Sequence, residues 1–512
     1  MKKLENLRRF RAYKGVTETS LCPKHGGLRV NTRIRKQIER RKRRIERRLD
    51  KNDNRGCDRP MMTAANIQYE IADRTRATAH GGIGAIHLLV RKLGLDEAID
   101  AQLGLLKIHL PYHESDHVLN IAYNLLAGGT CLEHLELLRS DEAYLDALGA
   151  RRIPDPTTAG DFCRRFDAAV LDADGTIVET GGECKEGMDV NHKGQWGYHP
   201  LVLSLANTGG PLFVVNRSGN RPSHEQAAAY FDQAIALCGR AGFTKIRLRG
   251  DTDFTQTEHL DRWDAEGVRF VFGIDAMPNL YELAENLPQN AWKVLVRRAK
   301  HKVNTQPRKR PQNVKQQVVE ARQFEDVRLV KEHVAEFRYR PTKCKKDHRV
   351  VVVWKDLDVY AGQQKLFEKD RCFFYITNDW ERPAEQLVFE ANGRCNQENL
   401  LAQLKGDARS LTAPLDSLLS NWAYMVMGSL AWSLKAWAAL TLPEEGRRQD
   451  RHREDKRKLL RMDFSTFRQA MMNIPVQILT AGRRIVYRFL AWNPWQHVFF
   501  RLLDQLRRPL RC

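Results

Sequence analysis

The stretch Ala391-Asn-Gly-Arg-Cys-Asn-Gln-Glu-Asn-Leu-Leu-Ala-Gln-Leu-Lys405 places Arg394, Glu398 and Lys405 at steps of four and seven residues. A helix has about 3.6 residues per turn, so these steps bring the three side chains to nearly the same face. One carboxylate is then flanked by a cation on either side, an arrangement that suits binding a metal ion and a phosphate backbone together. The alternative is a solvated, salt-bridged helix face, because i,i+4 ion pairs are common on such helices.

Two acidic segments upstream of this helix are predicted to belong to strands. Asp172 and Asp174 lie within Ala169-Val-Leu-Asp-Ala-Asp-Gly-Thr-Ile-Val178, and Asp251 follows a glycine at the end of another predicted strand. Side chains two residues apart on a strand share a face, so Asp172 and Asp174 repel each other unless a cation neutralises them. Mg²⁺ prefers oxygen ligands and keeps some of its waters, which suits a few carboxylates and a substrate phosphate.

We therefore predict that a carboxylate of Asp172 or Asp174, together with those of Asp251 and Glu398, binds two Mg²⁺ ions, with Mn²⁺ as a substitute. Two such ions activate the attacking oxygen and stabilise the leaving oxygen of an in-line displacement at phosphorus. Arg394 and Lys405 are predicted to bind DNA phosphates beside the metals. Each motif alone has a simpler explanation, since a D-x-D pair also occurs in sugar-nucleotide transferases and a Gly-Asp pair is often a turn.

The composition favours a polyanionic partner. The chain has 512 residues with 84 Lys and Arg against 63 Asp and Glu, a formal charge of +21, which most often indicates nucleic acid. Residues 31–48 contain ten Lys and Arg, and Ile34, Ile38, Ile45 and Leu49 form a narrow apolar stripe on this basic segment. This segment is predicted to be either a DNA-binding arm or a solvated tail.

The ten cysteines form no C-x-x-C pair, and Cys22 and His25 make a lone C-x-x-H, so the sequence does not predict a zinc site. Scattered cysteines without a signal peptide fit a reducing cytoplasm. The segment 418–442 is apolar, but Asn421, Lys435 and its internal tryptophans favour a buried helix packed against the catalytic sheet over a membrane span.

The fold class predicted from these patterns is α/β, with a helical region before a mixed sheet that a β-rich insertion interrupts. Two strands, 200–206 and 211–216, are predicted to form a hairpin around Asn207-Thr-Gly-Gly210. A helix over 222–241 and strands over 245–251 and 269–274 are expected to complete the sheet. The predicted regions are a basic N-terminal arm (1–60), a helical DNA-binding domain (61–165), a catalytic core (166–275 and 390–442), a β-rich insertion (276–389) and a basic C-terminal helical region (443–512).

With these residues in this order, the chain resembles the DDE transposases of bacterial insertion sequences. It is most similar to the group with a β-rich insertion and a signature of Tyr, two residues, Arg, three residues, Glu, six residues, Lys. Arg394, Glu398 and Lys405 match that spacing, whereas Ala391 occupies the tyrosine position.

The resemblance also indicates which aspartates are the catalytic ones. The family's first aspartate is followed shortly by Thr or Ser, which favours Asp174 in Asp174-Gly-Thr176 over Asp172. The second corresponds to Asp251, and Asp253 is interpreted as structural or supporting. The match covers about residues 65–440 and is most specific in the catalytic core.

The resemblance implies an RNase H-like catalytic core and cut-and-paste DNA transposition of an insertion sequence. The enzyme would bind terminal inverted repeats, hydrolyse the end phosphodiester and use the freed 3′-OH to attack target DNA. It further implies double-stranded DNA as partner, a homodimer in the DNA complex, no membrane association, and a nucleoid-associated location in the bacterial cytoplasm.

Two tryptophans of the predicted insertion are candidates for stacking on a DNA base. Trp380, in the predicted turn Thr377-Asn-Asp-Trp380, is the better candidate, and Trp354 is interpreted as an ordinary hydrophobic packing residue. Two alternatives to an active transposase stay open: a catalytically inactive, transposase-derived DNA-binding protein, and a D-x-D glycosyltransferase.

Overall fold

The structure, a computed structural model, describes residues 32–49, 75–103, 105–106, 111–163, 176–180, 182–191, 193–297, 313–362, 364–393, 395–444, 446, 448–481 and 484–508. The helices are α1 Thr32–Leu49, α2 Ile83–Leu93, α3 Leu95–Gln102, α4 Glu114–Ala127, α5 Leu135–Arg139, α6 Glu142–Leu148, α7 Pro156–Cys163, α8 Ala227–Arg240, α9 Leu260–Ala265, α10 Pro278–Glu285, α11 Val314–Ala321, α12 Ala384–Asn392, α13 Cys395–Lys405, α14 Leu418–Thr441, α15 Gln449–Arg461, α16 Phe464–Phe467 and α17 Gln496–Leu506. The strands are β1 Ala77–Thr78, β2 Val178–Glu179, β3 Asp189–Val190, β4 Trp196–Tyr198, β5 Leu201–Leu205, β6 Gly210–Val215, β7 Arg247–Gly250, β8 Arg269–Ile274, β9 Lys293–Val294, β10 Glu325–Tyr339, β11 His348–Ala361, β12 Gln364–Thr377, β13 Val476–Ala481 and β14 Arg484–Phe489.

The chain divides into two compact units, one combining Met1–Pro222 with Asn399–Cys512 and the other comprising Ser223–Glu398. The core of the first unit is helical. The helix α14 contributes most to it, because residues all around its circumference, such as Tyr424, Leu430 and Leu434, are buried. A helix that is apolar on every face is buried in a protein or lies in a membrane. The prediction that this segment is a buried helix is therefore confirmed, and its packing against the catalytic sheet stays a prediction.

The predicted hairpin is present in the first unit. Strands β5 and β6 pair in antiparallel register from Leu201 opposite Val215 to Leu205 opposite Gly210. The indole N–H of Trp422 donates to the Val214 carbonyl at 2.6 Å, and that of Trp432 donates to the Gly209 carbonyl at 2.7 Å. The two tryptophans inside α14 thus bind the hairpin to the helix.

The second unit contains a mixed six-stranded sheet in the order β7-β8-β12-β11-β10-β9. Strands β7 and β8 are parallel, and the other pairs are antiparallel. Val350, Val351, Val352 and Val353 of β11 are all at most 1% exposed, so both faces of this strand are covered. The helix α12 covers one face, where Leu387 and Val388 join Val351 and Val353 in a buried cluster.

The sheet differs from the expectation in how its strands are grouped. We expected the hairpin to join the strands ending at Asp251 and Ile274, but among the described strands the hairpin forms a two-stranded sheet of its own. The partner of β8 is instead β12, with Ile274 opposite Phe374. Strands of the predicted insertion therefore continue the sheet that carries Asp251, because β8 offers β12 a free edge for hydrogen bonding.

The C-terminal residues 443–512, predicted to be helical, also contain the hairpin β13–β14, which pairs with β1. Val476 and Ile478 are buried and alternate along β13, the two-residue period of a strand with one face in the core. The basic helix α1 is mostly exposed, and Arg41 donates to the Phe489 carbonyl of β14 at 2.9 Å.

Candidate functional site

Three of the residues chosen from the sequence lie outside the described residues. Asp172 and Asp174 fall in the undescribed range 164–175, and Arg394 falls between α12 and α13. The roles assigned to these three residues stay predictions. The structure places Asp251, Glu398, Lys405 and Trp380.

Asp251 lies at the carboxyl end of β7, where the chain turns sharply. It precedes the short 3₁₀ turn Thr252–Phe254, and its carbonyl oxygen accepts a hydrogen bond from the Phe254 N–H at 3.2 Å. A Cβ on Gly250 would lie 2.8 Å from the Phe254 Cβ and 3.0 Å from the Phe272 ring. Glycine is thus required immediately before Asp251, because the turn packs directly on the strand.

The residues preceding Glu398 are tied to the same strand. Arg249, two residues before Asp251, donates from its guanidinium to the Glu390 carbonyl near the end of α12 at 3.2 Å. A Cβ on Gly393, which follows α12, would lie 2.7 Å from the Arg249 Nη1. The absence of a side chain at residue 393 therefore lets the Arg249 guanidinium reach the end of α12 without being displaced.

A network of charged side chains reinforces this junction. The Arg247 Nη1 lies 2.9 Å from both carboxylate oxygens of Glu390, and the Arg382 Nη1 lies 2.5 Å from one of them. The Arg382 Nε also donates to Asp379 at 2.7 Å, and the Arg247 Nη2 approaches Asp379 at 3.4 Å. Two arginines and two acids therefore fasten α12 to β7.

Asp379 is the most buried carboxylate of this network, with its side chain 5% exposed. Burial alone raises the pKa of this carboxyl. The hydrogen bonds and the charge of Arg382 outweigh burial and hold the Asp379 pKa below its ordinary value. The group is thus ionised and paired near neutral pH.

Glu398 and Lys405 lie on the predicted helix, α13, about two turns apart. Glu398 is exposed in its first turn. Lys405 is half-buried in its last turn, where burial lowers its pKa and the nearby Glu179 carboxylate partly opposes that shift. Gln195 donates a hydrogen bond to the same Glu179 carboxylate. Lys405 thus presents its charge from a partly desolvated position.

Trp380 follows the buried Asp379 in the turn after β12 and is 45% exposed. The Arg338 guanidinium lies 4.9 Å from the centre of its ring, a cation–π contact on one face. Trp354 packs edge-to-face on Trp292 with ring centres 5.7 Å apart, in agreement with the packing interpretation.

A second group of polar side chains, not predicted from the sequence, lies in the unit 223–398. Ligand-type atoms of Asp261, Cys344 and His348 all lie within 4.8 Å of one another. The only local sequence signal was the spacing of Cys344 and His348, four residues apart before a valine-rich strand.

In the first unit, Asp100, His113 and Glu114 form a similar group. Asp100 there accepts hydrogen bonds from Ser115, and Glu114 accepts them from the N–H groups of Leu105 and Leu106.

Among the described helices, none combines the length and the apolar content needed to cross a bilayer.

A family model, rather than a solved structure, identifies the class of this chain. One solved structure similar to this chain is the cryo-EM structure of the piggyBac transposase synaptic complex with hairpin DNA, at 9% sequence identity. The alignment covers 78% of this chain and 84% of that chain with a TM-score of 0.31, so the identification does not depend on it. No curated protein sequence matches the chain. The sequence model of the family described as transposase DDE domain group 1 matches residues 156–510, more than half of the chain and the whole span from Asp174 to Lys405. The protein therefore belongs to the DDE transposases of this group.

Proposed function

We propose that the protein catalyses cut-and-paste transposition of a bacterial insertion sequence, by metal-dependent cleavage and strand transfer at terminal inverted repeats. The observation that carries this proposal is the hydrogen bond from Arg249 to the Glu390 carbonyl. It ties the strand that ends at Asp251 to the segment leading into the helix of Glu398. In this proposal Asp174 supplies the third carboxylate of an RNase H-like catalytic core.

The donor set fits the divalent metal ions that DDE transposases use. Asp251 and Glu398 offer carboxylate oxygens, the ligand type that Mg²⁺ prefers. The turn at Gly250 and the exposed first turn of α13 leave both residues at the ends of their elements rather than inside a packed core. When bound, Mg²⁺ or Mn²⁺ supplies activation of the attacking oxygen and stabilisation of the leaving oxygen.

The cations of the chain give DNA a surface to bind. Arg394 and Lys405 on either side of Glu398 are the proposed phosphate ligands, and Arg can form a bidentate contact. The helix α1 adds exposed cations such as Arg40, Arg44 and Arg47. Double-stranded DNA with inverted repeats, bound by a homodimer in the bacterial nucleoid, is the proposed partner. Neutralising several phosphates makes such binding strongly dependent on salt.

The test uses the purified full chain, Mg²⁺ and duplex DNA carrying the inverted repeats that flank its gene. We expect strand cleavage at the repeat ends, reduced at least about 10³-fold by Asp251→Asn and by Glu398→Gln. A matched variant, Glu385→Gln, removes a carboxylate of α12 and should retain cleavage.

Three outcomes would contradict the proposal in different ways. Undiminished cleavage by Glu398→Gln would remove Glu398 from the site. Tight binding of the repeat ends without cleavage under any divalent metal would indicate an inactive, transposase-derived DNA-binding protein. Binding of a nucleotide sugar, with no binding of DNA at moderate salt, would indicate a D-x-D glycosyltransferase.

A further inference from the structure

Three side chains from separate elements converge in the unit 223–398, on the turn that joins β10 to β11. Asp261 lies on α9, Cys344 lies in the turn, and His348 begins β11. Cys344 is 7% exposed and His348 is 2% exposed, so two of the three groups are removed from solvent. One oxygen, one sulfur and one nitrogen atom therefore face one another within 4.8 Å.

Each of the three groups already makes a hydrogen bond. The His348 Nε2 lies 3.0 Å from the Asp261 Oδ1, and the Lys345 N–H donates to the Asp261 Oδ2 at 2.5 Å. The Cys344 thiol donates to the Thr257 carbonyl at 3.2 Å. Burial raises the pKa of this thiol to about 11, so the free protein holds it neutral. These contacts hold the donor atoms in position before any ion binds.

The charges around the group are arranged for a cation. The turn carries three lysines, and two of them form ion pairs with acids other than Asp261. Lys343 pairs with Glu258 at 3.3 Å, and Lys346 pairs with Asp264 at 2.9 Å. Lys345 uses its backbone N–H to hold Asp261. A carboxylate is thus kept at the group, because Glu258 and Asp264 neutralise the two lysines.

We propose that Asp261, Cys344 and His348 are three ligands of a Zn²⁺ ion, with a water molecule completing a tetrahedron. Nitrogen and oxygen ligands about 2.0–2.2 Å from zinc lie about 3.4 Å apart at the tetrahedral angle. The 3.0 Å contact between His348 and Asp261 needs to open by only a few tenths of an ångström to admit the ion. A thiolate and an imidazole select zinc over magnesium, which prefers oxygen ligands.

Binding requires the loss of one proton. The Cys344 S–H bond breaks, its proton passes to solvent, and the thiolate electron pair forms the bond to the ion. Thiolate and carboxylate then balance the two charges of Zn²⁺. The thiol exchanges its hydrogen bond to Thr257 for this bond.

The ion would fasten the β10–β11 turn to α9, which follows Asp251 by two short 3₁₀ turns. Its contribution is to the stability of this unit, because metal binding free energy adds to the folding free energy of the segments that supply ligands. The proposal is therefore separate from the catalytic metals and does not depend on the proposed function.

The test uses the full chain, freed of metal with a chelator and then titrated with Zn²⁺ and, separately, with Co²⁺. We expect about one Zn²⁺ per chain, resistant to a large excess of Mg²⁺, a higher unfolding temperature with zinc, and a thiolate-to-cobalt charge-transfer band with Co²⁺. Cys344→Ser should abolish the band and weaken zinc binding at least about 100-fold, more than loss of a supporting residue does. His348→Gln should weaken binding similarly.

Three control variants make the result decisive. Cys372→Ser removes another buried thiol from the same sheet, and Cys22→Ser removes the lone C-x-x-H cysteine; both should keep the band. Glu398→Gln should also keep it, since the catalytic carboxylates are not involved. Absence of a band in the native chain, or a band that survives Cys344→Ser, would overturn the proposal. If a Cys344 variant unfolds, the unchanged fold and lost binding of His348→Gln still decide the question.

Discussion

The Arg249 guanidinium lies 3.2 Å from the Glu390 carbonyl oxygen, and this hydrogen bond joins β7 to the end of α12 across 141 residues of sequence. Two residues after Arg249 comes Asp251, and eight residues after Glu390 comes Glu398. The hydrogen bond between the Arg249 guanidinium and the Glu390 carbonyl thus holds together the segments that carry the predicted catalytic carboxylates of Asp251 and Glu398.

This hydrogen bond predicts that Gly393→Ala impairs cleavage without abolishing DNA binding. The added methyl group would lie 2.7 Å from the Arg249 Nη1 and must displace it. Small misplacements of a catalytic constellation can cost about 100-fold in rate, so we expect kcat to fall by about 10- to 100-fold with little change in KM. Single-turnover cleavage of repeat-end DNA measures this effect.

Gly239→Ala is the matched control, because a Cβ at Gly239 meets nothing within 4 Å. This variant should cleave as the unchanged chain does. An equal loss in both variants, or a loss confined to KM for Gly393→Ala, would contradict a positioning role for Arg249.

Asp379 is predicted to make the protein sensitive to acid. Its folded pKa lies below the ordinary value of 3.8, so its ionised form is favoured by folding. The stability it contributes is complete above the unfolded pKa and is lost as pH falls through the lower folded pKa. Asp379→Asn should cost about 3 kcal/mol at pH 7, because Arg382 and Arg247 would lose a buried partner.

Denaturant unfolding at several pH values measures this cost. The control is Glu381→Gln, whose side chain is 82% exposed and pairs only at the surface with Arg269. A surface pair contributes at most about 1 kcal/mol, so this variant should be nearly neutral. Equal costs for the two variants would show that the Asp379 network is no stronger than a surface ion pair.

Lys435 is predicted to lower stability near neutral pH. Its side chain is buried in α14, its Nζ lies 4.1 Å from the Trp432 ring centre, and burial lowers its pKa to about 8. The unfolded chain binds this proton up to a pH near 10.5, so stability should rise as pH increases from about 8 to 10.5. The whole rise is about 3 kcal/mol at most.

Lys435→Met should remove this pH dependence and leave the protein as stable as before or more stable at pH 7, since a buried charge is replaced by an apolar side chain of similar length. Lys458→Met, at a 60% exposed position on α15, should leave the dependence unchanged. Thermal unfolding between pH 7 and 10 distinguishes the two. A variant Lys435→Met that keeps the full rise with pH would show that another group titrates.

Trp380 is predicted to stack on an unpaired DNA base with the ring face that Arg338 leaves open. Stacking contributes about 1–3 kcal/mol per base, so Trp380→Ala should weaken binding to repeat ends with an unpaired base by about 5- to 150-fold. Trp380→Phe should restore much of that loss. Trp196→Ala, at another partly exposed tryptophan, is the control and should not change binding.

Local sequence patterns predicted the helices and strands well, but they predicted poorly which strands pair in the same sheet. The hairpin 201–215 was predictable because Asn207-Thr-Gly-Gly210 permits the turn, and the buried helix was predictable from tryptophans within an apolar run. The pairing of Ile274 with Phe374 was not predictable, because no local pattern encodes a contact between strands a hundred residues apart. The same limit hid the Asp261, Cys344 and His348 group, of which only the spacing of the last two is local.

The candidate site also has a part that was predictable from local sequence and a part that was not. The helix that carries Glu398 and Lys405 could be read from their spacing, and the position of Asp251 at a strand end could be read from Gly250. The arginines that fasten the two elements could not, because Arg247 and Arg249 resemble any solvated strand residues until Glu390 is placed beside them.

The close approach of Gly393 to Arg249 has a consequence for how this sequence can change over evolutionary time. A side chain at position 393 fits only if the side chain at position 249 shortens or turns away, and a shorter residue at 249 leaves the Glu390 carbonyl without this donor. In related chains these two positions should therefore vary together, as a pair in which glycine accompanies arginine.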